Sequence, residues 1–477
     1  MAKRVFKILS GLSSFQVVAR DANDVGCVNV TGRSTHFGAI RARVLSGKDV
    51  KLNWRNITEA TDGDVPWTGT IGDLPVGGPY TVELQVVSAL GAELAGLQIK
   101  HVLVGDLWVL AGQSNMHGVG DLDSRIEKPD KKVSCFAMRE VWETATEPLH
   151  AVIESPDPCH WSCTSEERPR LITEARRNQT KGAGLGISFA KALVRHTGVP
   201  IGLIPCAHGG TSMLQWSPSR KHEGGRSFYG SLLRRVAAAG GRVKGILWYQ
   251  GEAECGSEGA PLFTQRFTEL VRSFREDLSA PELPFFYVQV ARFPHAVANA
   301  ACWDQVREAQ RRCEQSIPGT VMVSAVDLPL DDAIHISTDG QKRLGKRLAD
   351  AACRVVYGAK EITAGPRLKT ACFVDAQRTR LKLTYENVNG KLLSTRRVGG
   401  FSACDAAGKP IFLVFDSFVD PGNACVVILK LEPTAPLGTM LYYGGGADSL
   451  CTLVDERDHA APAFGPMQLD DVPVEKQ

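Results

Sequence analysis

Acyl transfer by a side-chain nucleophile needs a serine or cysteine, a base and an orienting carboxylate, and this sequence holds such residues in short blocks. Ala111-Gly112-Gln113-Ser114-Asn115-Met116 follows the apolar run from Val102 to Leu110. Ser114 therefore stands where a buried strand ends and the chain turns toward a helix, the place where α/β sheets carry their sites. Gly112 permits close backbone approach, but Met116 occupies the second-glycine position of a G-x-S-x-G elbow, which weakens the α/β-hydrolase reading. A strand-end serine alone is more often a turn or cap residue, so Ser114 needs a base.

His335 is the best candidate. It lies in Asp331-Asp332-Ala333-Ile334-His335-Ile336-Ser337-Thr338, just before a predicted helix. In a tight loop, the three-residue spacing brings the Asp332 carboxylate to His335 Nδ1. That fixes the tautomer and stabilises the imidazolium formed when Nε2 takes the serine proton. Asp331 and Asp327 are less favoured substitutes. Donors for the developing oxyanion are available in His208-Gly209-Gly210-Thr211-Ser212, where Gly209 or Gly210 lets the main chain approach the substrate. A further strand ends in Trp248-Tyr249-Gln250-Gly251-Glu252-Ala253-Glu254; the Gln250 amide is another candidate donor, and Glu252 a residue that orients loops or substrate.

Other chemistries compete for the same residues. Glu252 and Glu254 would serve as a glycosidase acid/base pair if they flanked a scissile bond. Cys159-His160-Trp161-Ser162-Cys163 lacks a second half with metal-site spacing, so no metal is expected. His117, His208 and His222 read as loop or packing residues, although His117 and His208 adjoin the proposed site. No phosphate loop or dinucleotide fingerprint follows a strand, so no cofactor is expected.

The elements that must position these blocks change character along the chain. Residues 1–101 hold short β-like runs, Val28 to Thr31, Ala39 to Leu45, Val50 to Trp54 and Tyr80 to Val87, between Gly, Asp and Pro. They predict an N-terminal β domain. From 102 to 358, apolar runs such as Ile201 to Pro205, Gly245 to Tyr249, Phe285 to Val290 and Thr320 to Val326 alternate with stretches of helical period. These are Gly186 to His196, Tyr229 to Ala239, Leu262 to Leu278 and Trp303 to Ser316, with a last helix from Thr338, where Thr338 and Gln341 have capping-box spacing. The alternation predicts an α/β domain with a parallel sheet. Residues 359–477 return to β rhythm, with strands expected over Arg380 to Tyr385, Pro410 to Phe415, Cys425 to Leu431 and Met440 to Tyr443, before a polar tail.

Composition excludes several classes. Among 477 residues, 55 Lys and Arg against 52 Asp and Glu give +3, far from the positive field of a nucleic-acid binder. No apolar run approaches the roughly 20 residues that span a bilayer. Neither nucleic acid nor membrane is expected as a partner, and the oligomeric state is left open. The basic N-terminus shows no convincing cleavage site, and 13 scattered cysteines are an odd number for a disulfide framework. Both point to a cytoplasmic location.

Taken in order, Gly112-Gln113-Ser114-Asn115-Met116, His208-Gly209-Gly210-Thr211-Ser212, Trp248-Tyr249-Gln250-Gly251-Glu252 and Asp332-Ala333-Ile334-His335 resemble the motif blocks of SGNH-type carbohydrate esterases. The likeness is to the group of sialate O-acetylesterases and family 6 acetylxylan esterases, and it spans about Val102 to Ala352. Gln113 where SGNH enzymes broadly carry Asp, and Gln250 where many carry an oxyanion Asn, are departures shared by that group. The resemblance implies an SGNH-like three-layer α/β/α domain and a triad of Ser114, His335 and Asp332. It also implies oxyanion donors at Ser114, Gly210 and Gln250, and substrate contacts at Gln113, Asn115, Thr211 and Glu252. The expected activity is hydrolysis of acetyl esters on sugars through an acetyl-enzyme, without metal or organic cofactor, the sugar being xylan-type, sialic acid or another glycan. The alternative is a non-catalytic carbohydrate-binding protein on a hydrolase scaffold.

Overall fold

The computed structural model describes residues 5–61, 65–295, 298–395, 397–432 and 436–475. The basic opening residues 1–4 and the last two residues of the polar tail, 476–477, lie outside the described residues.

One 20-residue strand, Glu93–Gly112, organises the molecule. Its first half is antiparallel to Gly77–Val87 and faces solvent on one side, so its sequence alternates. Its second half is buried continuously from Val102 to Gly112 and reads as an unbroken apolar run. The strand expected from Val102 is thus the buried half of a longer one. The boundary proposed between residues 101 and 102 falls inside it, beside His101 at φ 60°.

Around this strand lies a sheet in the order Val133–Phe136, Ile201–Pro205, Glu93–Gly112, Gly245–Tyr249, Phe285–Gln289, Thr320–Ser324, all parallel. Trp142–Thr144 adds an antiparallel edge. After Glu93–Gly112 the chain builds first to one side and then to the other, which makes the carboxyl end of this strand the topological switch point. The fold of this region is α/β, as expected.

Five helices follow the expected apolar periods: Gly186–Thr197, Phe228–Ala239, Phe263–Asp277, Ala300–Ser316 and Thr338–Val356. Gly198, at φ 73°, ends the first of them as a left-handed cap. The last differs at its start. Its cap is Ser337, whose Oγ accepts from Gly340 N at 3.2 Å, so the capping box expected from Thr338 and Gln341 does not form. Helix Arg168–Asn178 was not expected; none of its residues is buried, so it leaves no apolar period to detect.

The N-terminal strands form two sheets around a core that includes Val30, Ile40, Val44, Trp67 and Leu84. The C-terminal strands form a sheet Arg367–Phe373, Arg380–Glu386, Val426–Leu431, Val414–Val419 and a second containing Phe401–Cys404, Met440–Tyr443 and Phe464–Gln468. The run expected over Pro410 to Phe415 is divided between two sheets, as Pro410–Ile411 and Val414–Val419. Buried polar groups join the C-terminal strands to the α/β region. Arg307 donates to the carbonyls of Gly444 and Gly446 at 2.9 and 2.6 Å, and Gln289 Nε2 to that of Ala463 at 2.9 Å. Arg347 pairs with Asp327 at 2.7 Å and Asp458 at 3.1 Å.

Candidate active site

Four loops meet at the carboxyl end of the parallel sheet. Gly112 makes the first turn possible: its φ is 131°, and a Cβ there would lie 2.1 Å from the Tyr249 carbonyl oxygen. The backbone of Gln113 then donates to that same carbonyl at 2.8 Å. The short helix Ser114–His117 begins at once, with Ser114 as its first residue at 9% exposure. As first residue, its N–H has no intrahelical acceptor.

The second loop leaves Ile201–Pro205 and returns past the serine. His208 N donates to Gly112 O at 3.1 Å, and Thr211 Oγ1 donates to His208 O at 2.8 Å while accepting from Trp216 Nε1 at 2.9 Å. Gly209 lies against the serine: an added Cβ would be 3.7 Å from Ser114 Cβ. Gly210 turns at φ 72° with open space beside it. Neither glycine N–H has an acceptor among the described residues.

The third loop locks the nucleophile turn from below. Gln113 Oε1 accepts from Gly251 N and Ala253 N at 3.4 and 3.2 Å. Glu252 Oε1 accepts from Asn115 Nδ2 at 2.7 Å, while its Oε2 is buried without a partner. Burial drives the Glu252 carboxyl upward in pKa, against the opposing pull of Asn115. Glu254 is committed elsewhere, with Met213 N at 2.7 Å and Arg266 at 2.9 Å. That ion pair removes Glu254 as a free acid or base, so the two glutamates do not make a glycosidase pair.

The fourth loop carries His335. Its Nδ1 lies 2.7 Å from Asp332 Oδ2, and Asp332 Oδ1 accepts from the backbone of Ile334 and His335 at 2.9 and 2.8 Å. Partial burial raises the Asp332 carboxyl, but the Ile334 N–H, the His335 ring and the His335 N–H together outweigh it and hold the group below its ordinary value. Asp331 and Asp327, the less favoured partners, are used differently: Asp331 Oδ2 accepts from Thr338 N at 3.2 Å, and Asp327 binds Arg347 and Arg343.

Asn115 brings this loop to the serine. Its Nδ2 donates to Ile334 O at 3.2 Å and its Oδ1 accepts from Ile336 N at 3.0 Å, so the residues on both sides of His335 are bonded to the neighbour of Ser114. Gln341 Nε2 completes the clamp by donating to Asn115 O at 3.0 Å. Sequence reasoning missed this role of Gln341, reading its spacing from Thr338 as a cap.

Most residues expected to touch substrate or oxyanion are enclosed between the loops. Gln113, Asn115, Thr211 and Glu252 are 3, 0, 2 and 9% exposed, and their bonded polar atoms tie the loops to one another. Gln250 is 0% exposed; its Nε2 points to Thr211 O at 3.4 Å and Glu254 Oε1 at 3.3 Å, and its Oε1 is buried without a partner. It directly follows the central strand Gly245–Tyr249, between the second and third loops.

A histidine cluster lies under the site, with His117 between His150 and His208 at ring distances of 5.5 and 6.3 Å. His160 Nδ1 is 3.3 Å from His208 Nδ1, and Ser231 Oγ links His160 to Asp157. Burial lowers all four imidazoles, His117 to about 4, so they stay neutral near pH 7. No group of three or more metal-ligating side chains forms a site among the described residues.

A family model described as carbohydrate esterase, sialic acid-specific acetylesterase matches residues 104–354, just over half of the chain. The chain belongs to this family. Within this esterase family, a probable carbohydrate esterase of Arabidopsis thaliana is 30% identical over 267 residues, covering 51% of this chain and 89% of that protein. Human sialate O-acetylesterase is 24% identical over 416 residues, 80% of this chain and 76% of that protein. The crystal structure of a carbohydrate acetylesterase from Xanthomonas citri shares the fold, with TM-score 0.65 and 22% identity over 96% of this chain and 99% of that one. The resemblance to sialate O-acetylesterases read from the four motif blocks is thus borne out at the level of the family.

Proposed function

We propose that this protein is a serine carbohydrate O-acetylesterase, its SGNH-like three-layer domain (102–358) working between β domains at 1–101 and 359–477. Ser114 Oγ attacks the acetyl carbonyl while His335 Nε2 takes its proton, and Asp332 holds Nδ1–H and stabilises the imidazolium. The N–H groups of Ser114 and Gly210 receive the oxyanion. His335 then protonates the departing sugar oxygen, and water, deprotonated by the same imidazole, releases acetate from the serine.

The observation that carries this reading is the Asn115 clamp, which bonds Ile334 and Ile336 on either side of His335 to the residue next to Ser114. The test is acetate release from acetylated xylooligosaccharides, O-acetyl sialic acids and acetylated simple sugars by wild type and Ser114→Ala. Wild-type release that falls at least 10³-fold in Ser114→Ala is the expected result. Saturable sugar binding without release from any ester would instead mark a binding protein on a hydrolase scaffold.

A further inference from the structure

The turn that carries the second loop past Ser114 has no side chains of its own to hold it. Gly209 and Gly210 follow one another there, Gly210 at φ 72°, and glycine leaves the backbone free to take other conformations. Its position is set from the residues on either side. Thr211 Oγ1 closes the turn onto His208 O at 2.8 Å and is itself held by Trp216 Nε1 at 2.9 Å, while His208 N is tied to Gly112 O at 3.1 Å. The His208 ring adds an anchor outside the four loops. Its Nδ1 lies 3.3 Å from Nδ1 of His160, in the 3-10 turn Pro158–His160.

Two ring nitrogens bond to each other only when one carries a proton and the other is bare, and the buried groups behind His160 fix which is which. The chain starts at Asp157, whose carboxylate accepts from Arg234 Nε and Nη2 at 2.8 and 2.7 Å. Ser231 Oγ gives its single proton to the same carboxylate at 2.6 Å. Toward His160 Nε2, 3.3 Å away, that oxygen can then only accept, so Nε2 carries the hydrogen. Burial leaves His160 and His208 neutral. His160 Nδ1 is therefore bare, and the hydrogen between the two rings belongs to His208 Nδ1. With its proton on Nε2 instead, His208 would set a bare nitrogen against a bare nitrogen. The relay from Asp157 thus selects one tautomer and one orientation of the ring that precedes the glycine turn.

We infer that His160 is a positioning residue of the site: by fixing the His208 ring it holds the Gly209–Gly210 turn, and with it the Gly210 N–H, where the oxyanion forms. The inference rests on the acetylesterase reading. Its first test is the whole wild-type protein with isotope-labelled histidine. Long-range nitrogen NMR, assigned with His208→Gln, should show His208 protonated at Nδ1 and bare at Nε2. The second is kinetic, with acetylated xylooligosaccharides, O-acetyl sialic acid or p-nitrophenyl acetate, whichever wild type hydrolyses fastest. His160→Phe keeps a ring but loses the acceptor, and is expected to lower kcat by about 10- to 100-fold with KM little changed. His160→Asn sets a carboxamide oxygen near the Nδ1 position, where it accepts from His208, and should recover most of that loss. A His208 proton on Nε2 in wild type, an unchanged kcat in His160→Phe, or equal losses in the two variants overturns the inference while the esterase reading stands. If His160→Phe does not fold, Ser231→Ala, which frees the His160 tautomer, takes its place: a fall in kcat is expected, and an unchanged kcat overturns the inference. Wild type that releases no Ser114-dependent acetate from any of these esters overturns both.

Discussion

Asn115 does more for this site than its position beside the nucleophile suggests. One carboxamide bonds Glu252 Oε1, Ile334 O and Ile336 N. Asn115→Ala strands those groups, which should cost roughly 2–4 kcal/mol in denaturant unfolding. It should also lower kcat by about 10², with KM little changed, because His335 loses its fixed distance to Ser114. A rise in KM with kcat unchanged would instead assign Asn115 to substrate binding. The buried histidines make a second prediction at this scale. A base held below its unfolded value takes up fewer protons folded than unfolded, so stability falls as pH drops from 6.5 through the value of about 4 for His117. His150 and His160 act in the same sense. Unfolding free energies measured across that window should decline less steeply in His160→Gln than in wild type.

Among the elements, the strand Glu93–Gly112 bears the tightest constraint. It pairs on both sides, with Ile201–Pro205 and Gly245–Tyr249, and then must release the chain within one residue so that Ser114 opens a helix. Gly112 performs that release at φ 131° against the Tyr249 carbonyl. Gly112→Ala should destabilise the protein by about 3 kcal/mol or more, combining backbone strain with the forced separation of two central strands. Circular dichroism melts would detect it, and the protein that remains folded should turn over acetyl esters more slowly, since the serine moves with the strand end.

Across the whole molecule, the C-terminal strands are fixed to the α/β region by Arg307, whose buried guanidinium donates to Val290, Ala291, Gly444 and Gly446 carbonyls. Planar, forked donors meet those diverging carbonyls; an ammonium with three donors on a flexible stem does not. Arg307→Lys should therefore lower stability by roughly 2–4 kcal/mol. Hydrogen exchange should show the loss concentrated in Met440–Tyr443 and its neighbours. Equal protection in variant and wild type would mean that apolar packing alone seats these strands.

The sequence by itself determined the α/β alternation, the order of the four blocks and the Asp332–His335 pair, because each is a local matter. Burial on both faces writes an apolar run, a helix writes its period, and a three-residue loop sets a carboxylate on an imidazole. Gly198 caps its helix for an equally local reason, since a left-handed residue there favours glycine. What tertiary structure alone decided is the direction of side chains that meet across the chain. Asn115 reaches Ile336, 221 residues away, and Gln113 reaches Ala253, 140 away. Gln341 left its expected cap to bond Asn115, and Gln250 turned into the protein. An amide has the same donors and acceptor whether it faces a substrate or a neighbouring loop. Only the packing around it selects the partner, and packing is set by parts of the chain that no local spacing connects.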